Sequence, residues 1–162
     1  MDRKTLQLTV LTRLSLHIDM DESARLARYL IEDLIPFDTA ITELLEAKID
    51  KATERLIAGK PMQYVTHRAD FYGYQYYVDK AVLIPRPETE ELVYQVLQYL
   101  KKINNRISFD RNLDKQPIPA ILDIGTGSGC IPVTIKNEHN ECNIIAVDIS
   151  NAALKVAIHN AN

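Results

Sequence analysis

A glycine-rich segment between two aspartates is the part of this sequence best suited to bind a ligand. The segment GTGSG, residues 125–129, comes directly after the apolar stretch AILDI, which contains Asp123. Asp148 follows the next apolar stretch, NIIAV. Glycines let a backbone turn sharply and let a ligand lie against it, and a helix that starts there presents free N–H groups. The segment therefore predicts a site for a nucleotide-like cofactor.

The spacing of the glycines distinguishes between cofactor classes. Dinucleotide-binding folds use G-x-G-x-x-G, whereas this chain has G-x-G-x-G with an acid two positions upstream. S-adenosylmethionine has no pyrophosphate, but its α-ammonium group suits Asp123, and the Asp148 carboxylate offers two acceptor oxygens to the two ribose hydroxyls. We therefore expect an S-adenosylmethionine site. The alternative is a glycine turn that serves only strand–helix packing, with Asp148 a surface residue.

The elements around this segment predict an α/β fold. Residues 120–162 read as strand, glycine loop, helix, strand and helix, and strands that alternate with helices form parallel sheets. Two strands are too few for a stable parallel sheet, because such a sheet buries both faces. We therefore expect the first part of a larger domain, with an open edge and an uncovered face that favour self-association or poor solubility.

Two further regions precede this part. From residue 1 to about Gly59 the apolar residues recur at helical spacing, which predicts a small bundle of three to five helices. The aromatic and β-branched stretch DFYGYQYYVDKAVLIP predicts a hairpin around Gly73, in which the tyrosines pack. We divide the chain into a helical domain over 1–70, a hairpin linker over 71–85 and an α/β domain over 86–162.

A helix connects the hairpin to the glycine-rich part. The stretch PETEELVYQVLQYLKK begins with proline and acidic residues, as helices often do. Its predicted apolar face consists of Leu92, Val93, Val96, Leu97 and Leu100. The polar segment 104–119 lacks periodicity and predicts an exposed loop.

Composition excludes several classes of protein. With 46% hydrophobic and 25% charged residues the chain is typical of a water-soluble globular protein, and no stretch has the length and hydropathy of a signal peptide or membrane span. Lys+Arg of 19 against Asp+Glu of 22, without a basic run, argues against direct nucleic-acid binding. The two cysteines and four histidines lack metal-site spacing, and we expect reduced thiols in a cytoplasm. Cys130 reads as a packing residue.

The chain resembles the HemK/PrmC family of methyltransferases, which modify the glutamine of the Gly-Gly-Gln motif in peptide chain release factors. The likeness runs from about Pro61 to Asn162. It is carried by VLIPRPETEELV (82–93), similar to the family's entry to the catalytic domain, by LDIGTGSGCI (122–131), similar to its cofactor loop, and by AVDISNAALKVAIHNAN (146–162), similar to its second strand and following helix.

The resemblance implies a class I, Rossmann-like methyltransferase domain with S-adenosylmethionine as cofactor. It implies that Asp148 holds the ribose and that the loop wraps the cofactor through Gly125, Thr126, Gly127, Ser128 and Gly129. It also implies that the helical domain docks the substrate, a release factor, and that the 85–89 turn lies near the cofactor and substrate entrance. Arg86 in that turn has no assigned role. Where the family pattern has glycine this chain has His67, so we expect that turn to differ.

The family's catalytic motif, Asn-Pro-Pro-Tyr, is absent, and the sequence contains no Asn-Pro dipeptide. We expect that motif to lie beyond Asn162. An amide nitrogen is a poor nucleophile because its lone pair is delocalised, and positioning of the glutamine amide can supply about 7–11 kcal/mol of the barrier. We therefore assign no catalytic residue and no metal ligand, and we expect no detectable methyl transfer by this chain alone.

Two alternatives to release-factor methylation stay open. The same fold and cofactor serve methyltransferases of ribosomal proteins and of nucleic acid, which the VLIPRPETE stretch disfavours without excluding. A non-enzymatic binding module, in which the helical region recognises a partner, would bind that partner through residues up to Gly59. Retention of a release factor by this region is the observation that separates the binding module from the others.

Overall fold

The computed structural model describes residues 2–109 and 118–162, of which 104–109 are described as backbone only. The chain is α/β and divides between Arg68 and Ala69 into two compact units. The first unit holds the helices α1 (Arg3–Leu14), α2 (Met20–Leu34), α3 (Glu43–Ile57) and α4 (Met62–Thr66). The second holds most of a hairpin and the alternating strands and helices that follow it.

Side-chain caps start the three long helices of the first unit. Asp2, Asp19 and Thr42 each accept a hydrogen bond from a backbone N–H group in the first turn, which would otherwise lack a partner. The helices then bury one apolar face each. The core of the first unit contains Leu6, Val10, Leu14, Ala27, Leu30, Ile31, Ile35, Ile49, Ala52, Leu56 and Val65.

The turn at His67 follows α4 directly. His67 has a φ of 59°, in the left-handed region that favours glycine. Glycine adopts this backbone conformation readily, and the expectation that the turn differs from that of the family stays a prediction. A histidine in this conformation costs about 1–2 kcal/mol relative to glycine.

The hairpin consists of β1 (Arg68–Phe71) and β2 (Tyr74–Tyr77), which pair as predicted. Tyr72 and Gly73 both have positive φ, 54° and 78°, as a two-residue type I′ turn requires. The N–H of Tyr72 donates to the carboxylate of Glu90 at 2.9 Å. Tyr76 is buried in the core of the second unit, so this part of the predicted linker is also part of that core.

Helix α5 (Pro87–Phe109) starts at the predicted proline but is longer than predicted. The exposed loop predicted over 104–119 is wrong for 104–109, which continue the helix because no glycine or proline interrupts them. The rest of that predicted loop includes 110–117, which lie outside the described residues. The predicted apolar face is also wrong in one member. Leu92 is 51% exposed, whereas Val93, Leu97 and Leu100 are buried.

The glycine loop joins strand β3 (Ala120–Ile124) to helix α6 (Cys130–Glu138). Residues 148–150 join the parallel strand β4 (Asn143–Val147) to helix α7 (Asn151–Ala161). The two strands pair in register from Ala120 with Asn143 to Ile124 with Val147. Strand, loop, helix, strand and helix thus follow the predicted order. The second unit's core contains Phe71, Tyr76, Val93, Leu97, Leu100, Cys130, Ile135 and Cys142.

One face of the two-stranded sheet carries large apolar side chains that are open to solvent. Side chains alternate along a strand, so every second residue points to this face. Its four members are Leu122 (58% exposed), Ile124 (77%), Ile145 (63%) and Val147 (40%). Register pairs Leu122 with Ile145 and Ile124 with Val147, which makes the apolar face continuous across both strands.

Two features are absent from residues 2–109 and 118–162. None of their helices combines the length and hydropathy that crossing a membrane would need. Nor do these residues contain a group of three or more histidine, cysteine, aspartate or glutamate side chains placed to hold a metal ion.

Candidate functional site

The glycine loop lies at the carboxyl ends of both parallel strands. The backbone N–H groups of Gly125 and Thr126 donate to the carbonyl of Val147, at 2.8 and 3.0 Å. The end of β4 therefore holds the start of the loop that follows β3. In open parallel sheets, ligands bind at this edge, outside the carboxyl ends of the strands.

The three glycines of the loop serve two different purposes. All have positive φ, but a Cβ added at Gly129 would lie 3.1 Å from the Cα and Cβ of Ala157, so this glycine lets α6 approach α7. A Cβ added at Gly125 or Gly127 would meet no atom within 4 Å. Packing thus accounts for Gly129, in line with the alternative raised from the sequence. It leaves the open side of Gly125 and Gly127 as the surface where a ligand can lie close to the backbone.

Two buried oxygens near the loop lack partners. Asp123 Oδ2 and Thr126 Oγ1 have no hydrogen-bond partner in the part of the chain that the structure describes. A buried polar group without a partner costs about 1–3 kcal/mol, and native proteins rarely keep one without a reason. Both atoms belong to predicted site residues, and a ligand that donates hydrogen bonds would satisfy them.

The side chain of Asp148 is hydrogen-bonded to the backbone of the glycine loop. Its Oδ2 accepts from the N–H of Gly127 at 2.9 Å, and its Oδ1 accepts from the N–H of Ser150 at 2.8 Å. These bonds, first Ser150 and then Gly127, hold the pKa of Asp148 below its ordinary value. The carboxylate is therefore ionised at neutral pH, and each oxygen keeps a lone pair for a further donor such as a hydroxyl.

Ser128 and Cys130 lie on the buried side of the loop. The Ser128 side chain is buried, so its contribution to ligand binding would come through the backbone. Burial raises the pKa of the Cys130 thiol, which keeps it protonated. This agrees with the interpretation of Cys130 as a packing residue.

Asn160 belongs to the loop's surroundings but was not predicted from the sequence. Its side chain donates to the Ser128 carbonyl at 2.8 Å and also bonds the backbone of Tyr77. An asparagine near the end of a helix is an ordinary cap residue, so nothing in the local sequence marks this contact. The contact joins residues 32 positions apart, and only the fold brings them together.

A groove of about 280 Å³ lies between α6, β4 and α7. Thr126 and Gly129 line one end of it, and most of the other lining residues are apolar, among them Ile144, Leu154 and Ile158. Neither predicted acidic residue lines it. The groove therefore differs from the place where the sequence puts the cofactor's charged and hydroxyl groups.

Arg86 and the segment before it lie at the start of α5. Val82 and Ile84 are buried, whereas Arg86 is exposed. Of the predicted site residues, the structure joins Asp148 directly to Gly127 by a hydrogen bond. The proposed place of the 85–89 turn at a cofactor entrance stays a prediction.

Comparison with known proteins gives consistent matches. The family model described as "Methyltransferase small domain" matches residues 109–162. The release factor glutamine methyltransferase of Chlorobaculum tepidum is 43% identical over 118 residues, which is 73% of this chain and 37% of that protein. Those of Koribacter versatilis and Staphylococcus aureus are each 40% identical, over 72% and 70% of this chain. The matches cover 37% and 36% of those two proteins, so the chain corresponds to well under half of its relatives' length.

Proposed function

We propose that this chain, which belongs to the family of the release factor glutamine methyltransferases, binds S-adenosylmethionine at the 125–129 loop for methylation of a release factor glutamine. The observation that carries the proposal is the loop's geometry. Open space faces Gly125 and Gly127. The buried oxygens Asp123 Oδ2 and Thr126 Oγ1 lack hydrogen-bond partners among the described residues, and the carboxylate of Asp148 is ionised. This combination suits a ligand with several hydrogen-bond donors and one positively charged amine.

Each group of the cofactor has a matching residue in the proposal. Asp123 would accept from the α-ammonium group, and its unpartnered Oδ2 supports that role. Asp148 would accept from the ribose hydroxyls through its remaining lone pairs, while it continues to hold Gly127. Thr126 Oγ1 would take up a further donor. When bound, the cofactor supplies a methyl group on a positively charged sulfonium.

The surrounding fold supports the same proposal. Two parallel strands, each followed by a helix, with the loop at their carboxyl ends, fit the start of a class I, Rossmann-like domain. We further propose that α1 to α4 act as the bundle that docks the release factor. We place the protein in the cytoplasm, where its two free cysteines, Cys130 and Cys142, would stay reduced.

The sequence contains no Asn-Pro-Pro-Tyr, the motif that we expect to orient the glutamine amide. We therefore propose cofactor binding without detectable methyl transfer by this chain alone. A radiolabel assay with purified release factor tests this part. Labelled release factor above background would show that the chain carries its own catalytic groups.

Calorimetric titration with S-adenosylhomocysteine, the demethylated product of the cofactor, tests the binding site. We expect saturable binding by the wild-type protein, no binding of NAD, and at least tenfold weaker binding by Asp148→Asn, since hydrogen bonds to charged groups contribute about 1.5–3 kcal/mol. Asn162→Ala is the control, because the hydrogen bond that the Asn162 side chain donates goes to the carbonyl of Ile158 in α7. Absence of binding, or preference for NAD, would contradict the proposal.

Retention of a release factor by the immobilised full chain tests the partner. We expect retention that the exposed substitution Leu44→Lys in the first unit reduces and that Ile145→Lys in the second unit leaves unchanged. Retention of ribosomal protein or RNA in its place would favour one of the alternative substrates.

A further inference from the structure

The side-chain amide of Asn160 makes three hydrogen bonds to backbone groups. Its Oδ1 accepts from the N–H of Tyr77 at 2.8 Å, and its Nδ2 donates to the carbonyl of Tyr77 at 2.9 Å and to that of Ser128 at 2.8 Å. The two partners lie 83 and 32 positions away in the sequence. Exchanging oxygen and nitrogen would place the amide oxygen against two carbonyl oxygens, so these partners determine the orientation of the amide.

The Ser128–Gly129 peptide is held at both of its polar atoms. Asn160 binds its carbonyl, and its N–H, on Gly129, donates to the carbonyl of Thr126 at 2.9 Å. Rotation of this peptide plane would break both bonds. The left-handed conformation of Gly129 and its close approach to Ala157 depend on the same plane.

The other end of the Asn160 contact lies on the hairpin. Tyr77 is the last residue of β2, and the Asn160 amide pairs with both its N–H and its carbonyl, much as a neighbouring strand would. Two further bonds join the hairpin to α6. They run from Tyr76 to Thr134, at 2.6 Å, and from Tyr74 to Glu138, at 2.7 Å. The hairpin therefore provides a fixed support against which Asn160 holds the loop.

We propose that Asn160 is a positioning residue that keeps the 125–129 loop in the conformation that binds the adenosyl cofactor. This inference rests on the proposed function. Asn160 acts through the Ser128 carbonyl and does not itself touch the cofactor. An amide is required, because the site needs one acceptor and two donors at the same side chain, and a carboxylate offers no donor when ionised.

The test is calorimetric titration of S-adenosylhomocysteine into the wild type, Asn160→Asp and Asn160→Ala. We expect dissociation constants about tenfold higher in both variants, because the loop loses the bond that orients it. Asn162→Asp is the matched control, since it adds the same charge two positions further along the chain, at an exposed side chain that donates to the Ile158 carbonyl of α7. Its dissociation constant should stay within about twofold of the wild type.

The titration separates positioning from folding. The fitted stoichiometry measures the fraction of binding-competent molecules, whereas the dissociation constant measures the affinity of those that bind. An Asn160 variant with reduced stoichiometry and unchanged affinity would overturn the inference, and so would unchanged values of both. Failure of the wild type to bind would overturn the proposed function and this inference with it, so the two failures are distinct.

Amide hydrogen exchange provides a readout that needs no cofactor. Asn160 accepts from the Tyr77 N–H and orients the peptide that carries the Gly129 N–H. The Gly129 amide should exchange at least about tenfold faster in Asn160→Asp than in Asn162→Asp, because an ionised carboxylate still accepts from the Tyr77 N–H but cannot donate to the Ser128 carbonyl. Equal exchange rates in the two variants would overturn the inference even if affinity changed.

Discussion

The carboxylate of Asp148 contributes to stability in a pH-dependent way. Backbone N–H groups of Ser150 and Gly127 lower its pKa in the folded state below the ordinary value of 3.8. A lowered folded pKa means that the contribution is complete above the unfolded value and is lost as the pH falls through the folded value. The loss therefore falls in the acid range, below about pH 4.

Replacement of Asp148 by asparagine should remove this acid dependence. We expect the free energy of unfolding of Asp148→Asn to fall less than that of the wild type between roughly pH 5 and pH 3. Urea denaturation at several pH values measures it, with the exposed Asp38→Asn in the other unit as control. Parallel pH curves for the wild type and Asp148→Asn would contradict the assignment of these two hydrogen bonds.

Substitutions of Gly129 and Gly127 should affect stability and ligand affinity differently. Gly129→Ala adds a Cβ 3.1 Å from Ala157, and such overpacking costs about 1–3 kcal/mol in addition to the strain of a positive φ. Gly127→Ala carries only the strain, because no atom lies within 4 Å of the added Cβ, but that Cβ occupies the open side of the loop. Thermal unfolding should show Gly129→Ala as the less stable variant. Titration should show that Gly127→Ala binds S-adenosylhomocysteine more weakly than the wild type, and equal stability of the two variants would contradict the packing role.

His67 offers a direct measure of backbone strain. Its φ of 59° lies in the region where glycine has an advantage of about 1–2 kcal/mol over residues with a Cβ. We expect His67→Gly to be more stable than His67→Ala by about 1 kcal/mol. Both variants lack the imidazole, so its contacts cancel in the comparison. Chemical denaturation measures the free energy of unfolding of both variants. A more stable alanine variant would show that residue 67 does not keep the left-handed conformation in solution.

At the scale of elements, α5 shows which of its leucines and valines support the second unit. Val93 is fully buried in the core, whereas its neighbour Leu92 is 51% exposed. We expect Val93→Ala to reduce the free energy of unfolding by about 2 kcal/mol and Leu92→Ala by less than about 0.5 kcal/mol. Urea denaturation measures both. Similar losses of unfolding free energy in the two variants would indicate that Leu92 is buried in solution, as predicted from the sequence.

The parts of the fold that the sequence predicts are those with a characteristic pattern within a few neighbouring residues. The strand, glycine loop and helix around Gly125 each have a strong signature within a few residues, and the hairpin has Gly73 at its turn. The extension of α5 to Phe109 was missed because a polar helix end has no hydrophobic periodicity. The role of Asn160 was missed for a different reason. Its partners are distant in the sequence, and neither partner contributes a side chain to the contact.

At the scale of the whole molecule, the second unit exposes more apolar surface on its sheet than parallel sheets usually leave open. Parallel sheets are generally covered on both faces, because their strands are apolar on both sides. Here α6 and β4 pack together, while Leu122, Ile124, Ile145 and Val147 on the other face stay exposed. Exposed apolar patches that are continuous favour association. The sheet face is therefore a surface where a second molecule would bury apolar side chains by binding.

The self-association expected from the sequence should accordingly depend on this face. In sedimentation equilibrium we expect the wild-type mass to rise with protein concentration, and Ile145→Lys, which places a charge at the centre of the face, to weaken association at least about tenfold. Leu44→Lys is the matched control, since Leu44 is 83% exposed but lies in the helical unit. A wild-type protein that stays monomeric at all concentrations would contradict the prediction. If both substitutions weakened association equally, exposed apolar residues in general would cause it. Association through the sheet face alone should weaken only when a residue of that face is changed.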